Sequence, residues 1–139
     1  MNAREARIDR IVRLRDERLK QAVRALEESR ALERKASSDL ALAIGAREEA
    51  EAARRQLSQT RADVLDFIES EEWLRSRSLL EDLAAQRLRK AQAQLDRAVS
   101  RVAEARVKVR QLEQLQKRLA EQRRRKQAPP FIRAAPTSS

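Results

Sequence analysis

Apolar residues in the first half of the chain recur in two interleaved sets, each stepping by seven. One set runs Val12, Leu19, Leu26, Glu33, Leu40. The other runs Ile8, Arg15, Ala22, Ser29, Ala36, Ala43, Ala50, Leu57, Val64. Together they give the alternating three-and-four spacing of a coiled-coil seam. Arg15, Ser29 and Glu33 interrupt it. It weakens again around Arg47 and Arg54, where Ala46, Ala53 and Ile68 suggest that the apolar stripe drifts. The second half repeats the pattern more cleanly, with Leu88, Leu95, Val102, Val109 in one set and Ala84, Ala91, Ala98, Ala105, Leu112, Leu119 in the other. Both halves alternate large residues with alanine. Small residues let helix axes approach and large ones fill the space between them. Two such stripes in one chain are best satisfied when the chain folds back on itself. The expected fold is therefore all-α, a long two-helix antiparallel coiled-coil hairpin.

The turn carries no Gly or Pro. Its best signal is Ser78-Leu79-Leu80-Glu81, a capping-box pattern, with Ser70-Glu71-Glu72 as a second helix-start candidate. This places helix one at about residues 3–69, the apex at about 69–78 and helix two at about 78–127. Asn2 is the expected cap of helix one, with Glu5 three residues on. Pro129-Pro130 should end helix two near Gln127. With these bounds helix one overhangs helix two by roughly 17 residues, and at ~1.5 Å per residue the longer helix spans about 100 Å. Ile8, Ile11, Val12, Leu14 and Leu19 would then lack an intramolecular partner. The apex would gather Phe67, Ile68, Trp73 and Leu74, either plugging the open end of the hairpin or presenting an apolar tip. Gly45 marks a bend, a close approach of the two helices, or a neutral substitution that costs about 1 kcal/mol against Ala. Residues 128–139 read as a disordered tail, with Phe131 and Ile132 as a possible short docking motif.

Composition changes the picture mainly by exclusion. Of 139 residues, 39% are charged and 2% aromatic, with a single Gly and three Pro. That mixture suits long helices burying one narrow stripe rather than a globular core. There is no Cys and no His, which removes the usual metal ligands and nucleophile–base pairs. The carboxylates of Glu48, Glu49 and Glu51, and of Glu71 and Glu72, sit on helix surfaces without the pocket that acid–base chemistry needs. No enzyme, cofactor or metal is expected. The longest uncharged run near the middle of the first half, Leu40 to Ala46, is far short of a membrane span of ~20 residues. A cytoplasmic protein without an integral membrane segment is the default, and a monomer is expected.

The net charge of +10 is uneven: residues 1–70 contribute +1 and residues 71–139 contribute +9. Arg123-Arg124-Arg125-Lys126, with Lys117 and Arg118, makes a dense positive end where cations also suit the helix dipole. It fits an acidic protein groove, phosphates of a nucleic acid, acidic lipid, or a solvated helix end. Nucleic acid is disfavoured because stacking aromatics and a basic-region zipper layout are missing.

The opening Arg10-Ile11-Val12-Arg13-Leu14-Arg15, followed by Leu19, Ala22-Val23, Ala25-Leu26 and Ala31-Leu32, resembles the start of the FliJ/YscO/SctO family. These are the small stalk proteins of flagellar and injectisome type III secretion systems, and the basic second half leans towards the injectisome branch. The resemblance implies a coiled-coil stalk that docks its helix ends in the hexameric secretion ATPase. Its apex would point to the membrane export gate, and export chaperones would be further partners. It would lie in the cytoplasm, peripheral to the membrane-embedded export apparatus. Carried onto this chain, the ATPase-binding residues would be Arg10, Arg13, Leu14, Arg15, Arg118, Arg123, Arg124 and Arg125. The gate-binding residues would be Phe67, Ile68, Trp73 and Leu74. The alternative is a basic coiled coil associated with nucleic acid.

Overall fold

The computed structural model describes residues 2–60 and 63–127. Two long helices, α1 (Ala3–Gln59) and α2 (Val64–Gln127), pack against each other as an all-α hairpin. Asn2 caps α1: its Oδ1 accepts the Glu5 N–H at 2.8 Å, and its carbonyl accepts the Ala6 N–H at 3.1 Å. At the other end, the Thr60 N–H reaches back to the Leu57 carbonyl at 3.3 Å, the tightened last turn of a fraying helix. Asp63 then caps α2, its Oδ1 accepting the Asp66 N–H at 2.9 Å.

Helix α1 thus ends at Gln59 and α2 begins at Val64, ahead of the apex expected at 69–78. Ser70 and Ser78 both lie inside α2. Ser70 is buried on the face towards α1, and its hydroxyl finds no hydrogen-bond partner among the described residues. Glu81 does not serve as a capping-box acid; its carboxylate accepts from Arg47 across the helix pair. A Ser-x-x-Glu pattern is local and cannot distinguish a helix start from a cross-helix ion pair. The earlier break leaves 57 residues in α1 and 64 in α2, so the expected overhang of helix one disappears. Ile8 and Val12 are buried and Leu19 half-buried, while Ile11 and Leu14 stay exposed. The expected tail at 128–139 lies outside the described residues.

By internal contacts the chain divides into two units. The end unit joins residues 2–24 to 100–127, and the turn unit lies within residues 25–99. In the end unit the buried apolar residues are Ile8, Val12, Val102 and Val109. In the turn unit they are Leu26, Ala50, Ala84, Ala91 and Ala98. Every one of these falls on the heptad sets read from the sequence. The stripe does not drift at Arg47 and Arg54. Ala50, between them, is fully buried, and both arginines hold seam positions. Gly45 lies within continuous helix, and an added Cβ there would meet nothing within 4 Å, so no close approach explains it.

Candidate interaction sites at the helix ends and around the turn

The end unit carries the charge. Its described residues, 2–24 and 100–127, hold 18 Lys/Arg against 7 Asp/Glu, whereas residues 25–99 hold 13 against 15. The end unit is therefore +11 and the turn unit −2. Splitting the chain at its midpoint hides this, because the antiparallel fold brings the basic start of α1 beside the basic end of α2. Two polar contacts fix that pairing: Arg123 Nη1 donates to Glu5 Oε2 at 3.1 Å, and Gln116 Nε2 donates to Asp9 Oδ1 at 2.6 Å. They rim a shallow groove floored by Ile8, Leu119 and Ala120.

All eight residues expected to bind the ATPase lie in this unit, in unequal states. Arg10, Arg13, Arg118, Arg124 and Arg125 are exposed and form no ion pair among the described residues. Leu14 is 53% exposed. Arg15 is half-buried at a seam position, and Arg123 is engaged by Glu5. The free cations line α1 on one side, where Ala3, Ala6, Arg7, Arg10 and Arg13 border a second shallow groove. They also close the last turn of α2, where Arg124, Arg125 and Lys126 complement the helix dipole. Such an array attracts an acidic surface over roughly the Debye length, about 8 Å at physiological salt.

The four residues expected at the gate do not converge. Phe67 and Leu74 line one groove of the turn unit with Glu51, Arg54, Arg55 and Ser58. Trp73 lines a different one with Ala53, Gln56, Leu57, Thr60, Glu69 and Ser70. Ile68 is about half exposed. Since α2 begins at Val64, Phe67 and Ile68 lie at its start and Trp73 and Leu74 further along it, and Phe67 and Leu74 do not share a groove with Trp73.

Sequence reading missed the ion pairs that cross the seam of the turn unit. Arg47 Nε donates to Glu81 while its Nη1 donates to Glu51 at 2.8 Å, and Arg54 pairs with Glu71. The hydrogen bond that Arg47 donates to Glu51 first, then the one it donates to Glu81, holds Arg47 protonated more firmly than usual. The signal was present as arginines spaced by seven, but their acidic partners are visible only once the register is known.

No helix among the described residues is long and apolar enough to cross a membrane. Comparison with family models, with curated proteins and with solved structures returns no match.

Proposed function

We propose that this chain is a non-enzymatic coiled-coil stalk of a type III secretion export apparatus, and that its end unit docks in the hexameric secretion ATPase. The observation that supports this reading most is the segregation of charge, +11 on the unit holding both helix ends against −2 on the unit holding the turn. A hairpin whose two ends form one cationic foot suits insertion into an acidic collar. Arg10, Arg13, Arg118, Arg124 and Arg125 supply the free charges, and Leu14 supplies apolar contact. In this reading the turn unit faces the export gate or its chaperones in the cytoplasm, through surfaces that include Phe67, Ile68 and Leu74.

The cationic end unit also supports a second reading, a nucleic-acid-associated coiled coil that neutralises phosphates without reading sequence. One experiment separates the two. The hydrolysis rate of the secretion ATPase from the same organism is measured with and without the protein, and with Arg10, Arg13, Arg118, Arg124 and Arg125 changed to Ala. Stimulation that disappears in the variant supports the stalk. No effect on the ATPase, together with retention on DNA or RNA that falls steeply with salt, refutes it and favours the second reading.

A further inference from the structure

The two sides of the helix pair in the turn unit are unlike. On one side, the seam is flanked by Leu32, Asp39, Ala46 and Ala53 on α1 and by Trp73, Leu80 and Arg87 on α2, each series stepping by seven. The structure joins them across the pair at both ends: Ala53 and Trp73 share one groove, and Leu32 and Asp39 share another with Arg87. Ala46 and Leu80 lie one heptad inside these ends and so occupy the same side. Just outward sit Leu42 and Leu83. The opposite side is flanked by Ser37, Ile44, Glu51 and Ser58 on α1 and by Glu71, Ser78, Ala85 and Gln92 on α2, a mostly polar series.

The apolar side is open. Leu42 is 73% exposed, Leu32 54%, Leu83 47%, Leu80 46% and Trp73 40%. An apolar stripe that widens from the seam onto one flank is the pattern of a helix in a bundle, not of a two-stranded coil, whose stripe is narrow. The charges bordering it are ordered. Along α1, Lys35, Leu42 and Glu49 follow one another at heptad steps. Along α2, Glu69 lies before Leu83, with Lys90 and Arg97 after it. Because the helices are antiparallel, both rows are basic at the end nearer Leu32 and acidic at the end nearer Trp73; Lys35 and Lys90 border the same groove.

We infer that a second copy of this chain covers this face, the two hairpins forming an antiparallel four-helix bundle about a two-fold axis at Leu42 and Leu83. The axis runs across the helices. It sets Lys35 of one copy against Glu49 of the second, and Arg97 against Glu69, each pair occurring twice. It also buries Leu42, Leu80 and Leu83 at the centre. The face holds Leu42, Ala46, Leu80 and Leu83 at its middle, with Asp39 and Arg87 one turn away in a shared groove, and opposite charges at its two ends; it is complementary to itself reversed, as a two-fold interface requires. The inference concerns the turn unit alone and does not rest on the stalk reading.

The test is mass in solution by sedimentation equilibrium across a concentration series, with circular dichroism confirming that each variant keeps its helix content. The expected result is a monomer–dimer equilibrium. Leu42→Glu, which changes an exposed residue, should raise the dissociation constant at least about 100-fold, since each dimer loses the contact twice and buries two charges. Lys35→Glu alone and Glu49→Lys alone should each weaken the dimer about tenfold at low salt. The two single variants mixed together should recover wild-type affinity as a heterodimer, as should the chain carrying both changes. The chain has no native cysteine, so Leu42→Cys and Ser37→Cys each add a unique thiol for a short bis-maleimide linker. Leu42→Cys should cross-link and Ser37→Cys, on the polar side, should not. A monomeric mass at every concentration overturns the inference. So does a dimer indifferent to Leu42→Glu, or equal cross-linking from both cysteines.

Discussion

The end unit and the turn unit share one helical repeat and put their apolar residues in different places. In the end unit the seam is built from Ile8, Val12, Val102 and Val109, all buried, and the outside is cationic. In the turn unit four of the five buried apolar seam residues are alanines, and Arg47–Glu81 and Arg54–Glu71 link the helices. Leu42, Leu79, Leu80 and Leu83 stand outside, while Leu40, Leu57, Leu74, Leu88 and Leu95 are half-buried. Each buried methylene contributes about 0.8 kcal/mol. On that basis the end unit should gain more from its own seam, residue for residue. The turn unit lines its seam with alanine, links its helices with ion pairs, and keeps apolar surface for something else. A helix pair can therefore divide its work along its length: one stretch holds itself together and offers charge, another offers apolar area.

The sharpest way to break this contrast is to place the same carboxylate in both units. Val102 is 3% exposed and Leu79 is 59% exposed. Val102→Asp should cost about 3 kcal/mol or more, because it places a charge in the buried apolar seam. Leu79→Asp should change stability by no more than about 0.5 kcal/mol. Thermal unfolding followed by circular dichroism checks both. Equal losses would mean that the exposed leucines of the turn unit are part of its core.

The ion pairs come next. Arg47 and Glu81 keep only about a quarter of their side-chain area exposed, at 25% and 23%. Arg47→Ala should lower stability, since it leaves Glu81 and Glu51 without their donor. Arg47→Leu combined with Glu81→Leu should recover that loss or exceed it, because well-packed apolar pairs commonly equal a buried ion pair. What the double variant should lose is register, read as extra species in cross-linking between the helices. The raised folded-state value of Arg47 gives a contribution that is complete below its unfolded value and is lost only as pH rises through the folded value. The cost of Arg47→Ala attributable to that shift should therefore be the same in mildly acidic and mildly basic buffer.

Smaller effects test the helix ends and the outer surface. Asp63→Ala should destabilise the turn unit by about 1 kcal/mol through loss of the α2 cap. Ser78→Ala, at the start expected from sequence, should cost less, because Ser78 caps nothing. Gly45→Ala should stabilise by about 0.8–1.0 kcal/mol, since the added methyl meets open space on a helix surface.

The fold and the core were legible from the spacing of apolar residues alone. Ile8, Val12, Leu26, Ala50, Ala84, Ala91, Ala98, Val102 and Val109 all lie on heptad sets visible in the sequence. The Asn2 cap was legible for the same local reason. The turn was not. Asp63-Val64-Leu65-Asp66 is as good a helix start as Ser78-Leu79-Leu80-Glu81, and only cross-helix pairing decides between them. That error carried forward. It created an overhang that does not exist, and it gathered Phe67, Ile68, Trp73 and Leu74 at an apex, whereas all four lie within α2. It also hid Arg47 and Arg54, which look like breaks in a stripe until Glu81 and Glu71 are found opposite. The basic end was half visible, because the run at Arg123–Lys126 is contiguous. Its union with Arg10 and Arg13 depends on the fold.

The most direct test of the charge-segregated stalk compares two variants of equal net charge. One removes five exposed arginines from the end unit: Arg10, Arg13, Arg118, Arg124 and Arg125, each to Ala. The other removes five exposed arginines from the turn unit: Arg30, Arg34, Arg55, Arg75 and Arg89. Stimulation of the secretion ATPase is measured for both. The account predicts that the first variant loses it and the second keeps it. Equal loss from both, or no stimulation by the unaltered protein, would contradict the claim that the helix ends form the docking foot.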